Sequence, residues 1–137
     1  HALLAQRAPD EKRRTIDGAS VDTTQLRGKV VVVKFFAKYC EPCKKTLPVV
    51  RDLAERHPEI VVLGVAEDET ESDVRAVVAE YGLHFPVVHD QGNVVAGRFR
   101  VRELPAVFVV DGQGTLRWVG TAGQPDDGVV AAALEYR

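Results

Sequence analysis

Apolar residues along this chain fall into runs of different period, and each run predicts an element. From Val30 to Phe36 they are almost continuous, β-branched and aromatic, broken only by Lys34. That pattern belongs to a strand buried on both faces, as in a parallel or mixed sheet covered by helices. Ile60–Val65 repeats it, Phe85–Val88 gives a short strand, and Val107–Val110 a strong one. The turn residues Asp111–Gly112 then lead into Leu116–Val119 as a hairpin partner. Helical spacing takes over after Pro42, where Leu47, Val50 and Ala54 recur among charges, with Pro48 inside as a kink and His57–Pro58 as the end. Asp68 to Tyr81 is predicted helical, with Val74, Val77 and Val78 inward and Gly82 as the stop. Asn93–Arg98 reads as a short helix, and Gln124–Tyr136 as a closing one with Val129, Val130, Ala133 and Leu134 as its stripe. Near the start, Thr15 to Val21 reads as a short hairpin turning at Asp17–Gly18. Residues 1–14, polar and carrying Pro9, read as an arm.

Strands and helices alternate, which indicates an α/β sheet of mixed direction flanked by helices. Without repeats or linkers, the 137 residues are expected to form a single domain. Charge changes the picture only by exclusion: 18 basic against 20 acidic residues give no case for nucleic acid or an anionic membrane surface. No apolar run reaches the roughly eighteen residues that a spanning helix needs. The opening HALLAQRAPDEKRR is not a signal peptide, so membrane attachment is expected only through an anchor removed ahead of this sequence. A monomer is expected.

The chemistry sits where the first buried strand ends. The stretch FFAKYCEPCKKTLP holds both cysteines, Cys40 and Cys43, with two residues between them at a strand-to-helix turn. A thiolate is the species that attacks disulfides. The Cys40 sulfur is expected to face the first free N–H groups of the following helix, whose partial positive charge favours an anion. Pro42 suits the first helical turn. Cys43, one turn in and less exposed, is then the resolving thiol, and Cys40 the attacking one. A zinc site needs four ligands, and no second C-x-x-C is present. A structural pair would not explain the strand–C-x-P-C–helix context.

FFAKYCEPCKKTLP resembles the active-site segment of the thioredoxin superfamily, with Pro48 at the family's helix kink. CEPC, the APD near the start, LRGKVVVVKFFA and YGLHFPVVHDQGNVVAGRFRVRELPAVFVVDGQG are similar to the TlpA/ResA-like branch, over roughly residues 8–120. The resemblance implies a thioredoxin-like fold with an N-terminal hairpin and a helix–strand insert at about residues 67–90. It implies a cis Leu104–Pro105 peptide facing the cysteines, and a substrate groove to which Tyr39, Glu41, Pro42, Leu104 and Pro105 are assigned. It implies a thiol–disulfide oxidoreductase, on the reductase side, of a kind that often serves cytochrome c maturation. Its partners would be protein disulfides or dithiols and an upstream thiol donor, and its location extracytoplasmic. No cofactor is implied beyond the redox-active disulfide itself. Three departures from the branch involve four positions: Tyr39 and Phe36 stand where Trp is usual, Ala106 follows the proline where Thr is common, and Glu11 replaces the Phe of APDF.

Lys34 occupies the place of a buried acid that relays a proton in many thioredoxins, and Glu67 matches a glutamate of the TlpA/ResA-like branch. Ionised burial without a partner is costly, so Lys34 must be paired, neutral or reaching outward. Lys34 and Glu67 are expected to face each other behind the disulfide, the ammonium favouring a thiolate and Glu67 moving the proton. The alternative puts Lys34 at the sheet edge and Glu67 in an exposed loop. A peroxidase of the peroxiredoxin type would want a lone cysteine held by Thr and Arg, which CEPC does not supply. A rival of another class is a non-catalytic Cu(I)-binding thioredoxin-like chaperone, with His84 or His89 as third ligand.

Overall fold

In the computed structural model, which describes residues 1–136, the buried strands assemble as their patterns require. The chain runs β1 (Lys12–Arg14), β2 (Ser20–Asp22), β3 (Val31–Phe36), α1 (Cys43–Arg56), β4 (Val61–Ala66), α2 (Glu71–Tyr81), β5 (Val87–His89), α3 (Val94–Arg98), β6 (Ala106–Val110), β7 (Leu116–Gly120) and α4 (Asp127–Leu134). The five-stranded sheet has the order β5-β4-β3-β6-β7, so β3, buried at every position, is central. It pairs parallel with β4 and antiparallel with β6, which makes the sheet mixed.

Strand parity divides the interior. Val31, Val33 and Phe35 point, with Leu63, Val65 and Phe108, towards Val95, Ala96 and Phe99 of α3 and its end. Val30 and Val32 point the other way, with Val107 and Val109, to Val50 and Leu53 of α1 and Val130 and Ala133 of α4. Phe36, Ala66 and Val87 continue that second face towards Leu47 of α1 and Val74 and Val77 of α2. Burying such side chains contributes roughly 1.5–3 kcal/mol each.

Local chemistry sets the ends. Thr70 caps α2 by accepting from the Asp73 N–H, and Gly82 closes it at φ 60°, a left-handed conformation natural to glycine. Asp126 caps α4 through the Val129 N–H. The expected hairpin turns at Asp17–Gly18 and its second strand keeps Ser20 and Val21, but its first strand is Lys12–Arg14, because Thr15 and Asp17 bond to each other in the turn. The first fourteen residues differ from an arm. The Ala5 N–H donates to Leu116 O (2.8 Å), the Ala8 N–H to Gly114 O (2.9 Å), and Ala8 is buried. Glu11, read as a departure, is buried and ion-paired to Arg13 and Arg98, so a charged clasp holds this entry segment.

Candidate active site

Central strand β3 delivers the cysteines. Beyond Phe36, a turn in which the Cys40 N–H donates to Ala37 O (3.2 Å) places Cys40 just ahead of α1. Pro42 takes the N-cap position, and Cys43 is the first residue of the helix. Cys40 and Cys43 are joined in a disulfide, Cα to Cα 5.4 Å. Cys40 is 6% exposed and Cys43 1%. The sequence expected free N–H groups facing Cys40. Instead the N–H groups of Cys43, Lys44 and Lys45 donate to the carbonyls of Cys40, Glu41 and Pro42 (3.1–3.2 Å). The helix therefore acts on Cys40 through the sum of its aligned dipoles.

The disulfide lies between two openings. On one side is a cavity of about 580 Å3, lined by Cys40, Tyr39, Pro42, Glu67, Leu104 and Arg102 among others. Tyr39 stands at its lip, 70% exposed. The Leu104–Pro105 peptide is cis, and Pro105 directly precedes β6. On the other side is a smaller cleft of about 170 Å3, where Lys38, Lys44, Glu80 and Tyr81 approach both cysteines. Lys44 is paired to Glu41 (3.1 Å) and Lys38 to Asp73 (3.4 Å), all at the surface.

Lys34 and Glu67 are both buried, and they do not face each other. Register aligns Lys34 with Gly64, so Lys34 shares the α1 face with Val32 and Phe36. Glu67 lies three residues past Gly64, an odd step, and follows the parity of Leu63 and Val65 on the α3 face. Lys34 Nζ donates to Thr46 Oγ1 (2.9 Å) and Gln124 Oε1 (3.0 Å). Burial pushes its pKa down to about 7. Glu67 is 8% exposed, and neither of its carboxyl oxygens has a hydrogen-bond partner among the described residues. Burial first, then the neighbouring Asp90 and Asp68 carboxyls, push its pKa up to about 9. At neutral pH Glu67 therefore holds a proton, in the wall of the cavity that Cys40 also lines.

Sequence reasoning did not single out Thr46, Gln124, Asp68 or Asp90. Asp90 is buried and accepts from the Val95 and Ala96 N–H groups (2.9 and 3.0 Å), fixing α3 beside Glu67. Asp68 accepts from the Lys38 N–H (2.9 Å) and fixes the turn before the cysteines. Thr46 could have been found, because three residues past Cys43 is the same helix face. Gln124, ninety positions from Lys34, leaves no local signal. The copper reading loses its ligands here. His89 Nε2 is bonded to Asp68 O (2.6 Å), and His84 lines a separate cavity with Arg51 and Pro58. Among the described residues, no three His, Cys, Asp or Glu side chains form a metal-holding group.

A mixed sheet flanked by helices, with a C-x-x-C disulfide opening the helix that follows the central strand, defines a thioredoxin-like protein. The chain belongs to the AhpC/TSA family, whose model matches residues 4–119. It is 31% identical over 113 residues to the thiol-disulfide oxidoreductase ResA of Bacillus anthracis, covering 81% of this chain; it spans 65% of that relative's length. It is 27% identical over 116 residues to the thioredoxin-like protein YneN of Bacillus subtilis, covering 82% of this chain and 68% of YneN. Among solved structures, a thiol:disulfide interchange protein of the thioredoxin family from Chlorobium tepidum superposes with TM-score 0.83 at 25% identity, covering 93% of this chain and 95% of that one. A secreted Mycobacterium tuberculosis disulfide oxidoreductase homologous to DsbE gives 0.79 at 27% identity, covering 89% and 95%.

Proposed function

We propose that this protein is a thiol–disulfide oxidoreductase that exchanges the Cys40–Cys43 disulfide with dithiols and disulfides of protein clients. The observation that carries it is the asymmetry of the pair: joined in a disulfide, Cys40 opens onto the larger cavity while Cys43 is almost fully covered. In the reducing direction the Cys40 thiolate attacks one client sulfur, and the client's other sulfur leaves with a proton. Cys43 then attacks Cys40, the disulfide reforms, and the client is released with both sulfurs reduced. The electrons reside on the two sulfurs throughout.

Glu67 supplies the proton on the Cys40 side, because it is protonated at neutral pH and lines the same cavity. Tyr39, Glu41, Pro42 and Leu104 line the groove in which the client lies, Tyr39 offering an exposed ring beside the sulfur, while Pro105, buried behind Leu104, shapes the groove through its cis peptide. The same reading takes the protein as a monomeric reductase fed by an upstream thiol donor, outside the cytoplasm and in the service of cytochrome c maturation; the likeness to ResA and to a secreted DsbE homologue supports the oxidoreductase class and the extracytoplasmic location. Among the described residues, no helix is long and apolar enough to cross a membrane.

Two measurements test this reading. The protein should accelerate insulin reduction by dithiothreitol, and Cys40→Ser should abolish the acceleration. The reduction potential of the pair sets direction: a value near roughly −270 mV supports a reductase, and one near roughly −120 mV an oxidant.

A further inference from the structure

We propose that Lys34 is a positioning residue for the resolving sulfur: through Thr46 it holds a switchable positive charge under the first turn of α1, and its protonation is coupled to the ionisation of Cys43. This inference rests on the dithiol reading above and deepens it, because it gives each sulfur its own buried titratable group.

The geometry begins with the helix. The buried line of α1 is Cys43, Thr46, Leu47, Val50 and Leu53, the spacing of a single face. Cys43 and Thr46 are neighbours on that line, one turn apart. Lys34 lies beneath it with no exposed surface and donates to Thr46 Oγ1 at 2.9 Å. The Thr46 hydroxyl in turn donates to Cys43 O (3.4 Å). Gln124 accepts the second Lys34 bond, and its own Nε2 is held by Gly123 O (2.9 Å), so its oxygen stays directed at Lys34. Two acceptors match the two N–H groups of a neutral amine. The third N–H of an ammonium has no acceptor among the described residues.

Among the described residues, no other charged group faces Lys34. β4 presents Gly64 and Ala66, β6 presents Val107, α1 presents Thr46, and the segment before α4 presents Gln124. A Cys43 thiolate is then the one anion that chemistry creates on this side. From outside, Cys43 is faced by Lys38, Lys44, Glu80 and Tyr81 across the smaller cleft, and Lys38 and Lys44 are committed to surface carboxylates. On the Cys40 side the buried titratable neighbour is Glu67, with Tyr39, Glu41, Arg102 and Glu103 exposed around the same cavity. Charges in a dry interior interact more strongly than at the surface, so Lys34 is the cation that matters to Cys43.

Cys43 loses its proton as the Lys34 amine gains one, so a thiol and an amine become a thiolate and an ammonium. The thiolate attacks Cys40, the Cys40–Cys43 bond forms, and the bond from Cys40 to the client breaks. The client leaves as a thiolate and takes up a proton. Once the disulfide closes, the anion is gone and Lys34 releases its proton.

The test uses Cys40→Ser, in which Cys43 is the one remaining thiol, titrated by thiolate ultraviolet absorbance. Adding Lys34→Met should raise the midpoint by about one pH unit or more, a tenfold loss of thiolate at fixed pH. Lys34→Arg, permanently charged, should restore a low midpoint. An unchanged midpoint in a folded Lys34→Met protein overturns the proposal. Where that variant does not fold, coupling is read from the other partner, since it must be reciprocal. The Lys34 Cε resonance should titrate at higher pH in Cys40→Ser than in the Cys40→Ser, Cys43→Ser double variant, and equal midpoints overturn the proposal. Insulin reduction by the unmodified protein reports separately. Equal midpoints with that activity intact sink the Lys34 inference alone, whereas loss of that activity sinks the dithiol reading.

Discussion

Lys34 and Glu67 are buried on opposite faces of one sheet, and each is pushed towards its neutral form: the lysine down to about 7, the glutamate up to about 9. Their titrations act on stability with opposite sign. Between about pH 4.5 and 9 the folded chain keeps a proton on Glu67 that the unfolded chain has lost, so stability falls as pH rises. Between about pH 7 and 10.5 the unfolded chain keeps a proton on Lys34 that the folded chain has lost, so stability rises. From about pH 7 to 9 the two slopes cancel. Relative to the oxidised native protein, Glu67→Gln should therefore gain stability as pH rises through that window, and Lys34→Met should lose it, each by up to about 1.4 kcal/mol per pH unit. Denaturant midpoints across the range decide this, and parallel curves for all three proteins would refute it.

The protonated Glu67 has a kinetic consequence. Glu67→Gln keeps the shape of the cavity wall and removes the proton that can move. Reaction of the reduced protein with a small disulfide should slow by roughly tenfold to a hundredfold, while the Cys40–Cys43 disulfide still forms. Stopped-flow rates equal to those of the native protein would remove Glu67 from the chemistry.

Gly64, the cross-strand partner of Lys34, has no room for a side chain. A Cβ there would lie 2.9 Å from Phe85 Cε1, 3.0 Å from Phe36 Cε1 and 3.1 Å from Val87 Cγ2. Gly64→Ala should destabilise the protein by about 1–3 kcal/mol, the usual cost of overpacking a core. Urea titration checks the magnitude.

Asp90 joins the α3 scaffold to the electrostatics of Glu67. Asp90→Asn loses acceptance from one of two backbone N–H groups at Val95 and Ala96, which should cost about 1–3 kcal/mol. It also removes a neighbouring carboxyl that raises the Glu67 pKa, so the Glu67 carboxyl resonance should titrate at lower pH than in the native protein.

Most of the scaffold was legible because buried strands leave continuous runs. Val30–Phe36 and Val107–Val110 named two adjacent strands, and Gly82 marked a helix end. The cysteine pair was legible because its function depends on residues adjacent in sequence. What depended on register was not. That Lys34 and Glu67 diverge follows from the pairing of Lys34 with Gly64, which no local pattern reveals. The docking of residues 5–8 was hidden too, because it is made by backbone bonds to residues more than a hundred positions away.

Cys40 attacks and Cys43 resolves, and a trapping experiment separates the two roles. Cys43→Ser, incubated with a disulfide-bonded protein, should accumulate a mixed disulfide through Cys40, released by dithiothreitol and identified by mass spectrometry. Cys40→Ser should accumulate none. Equal trapping by both variants, or trapping by Cys40→Ser alone, would contradict the assignment.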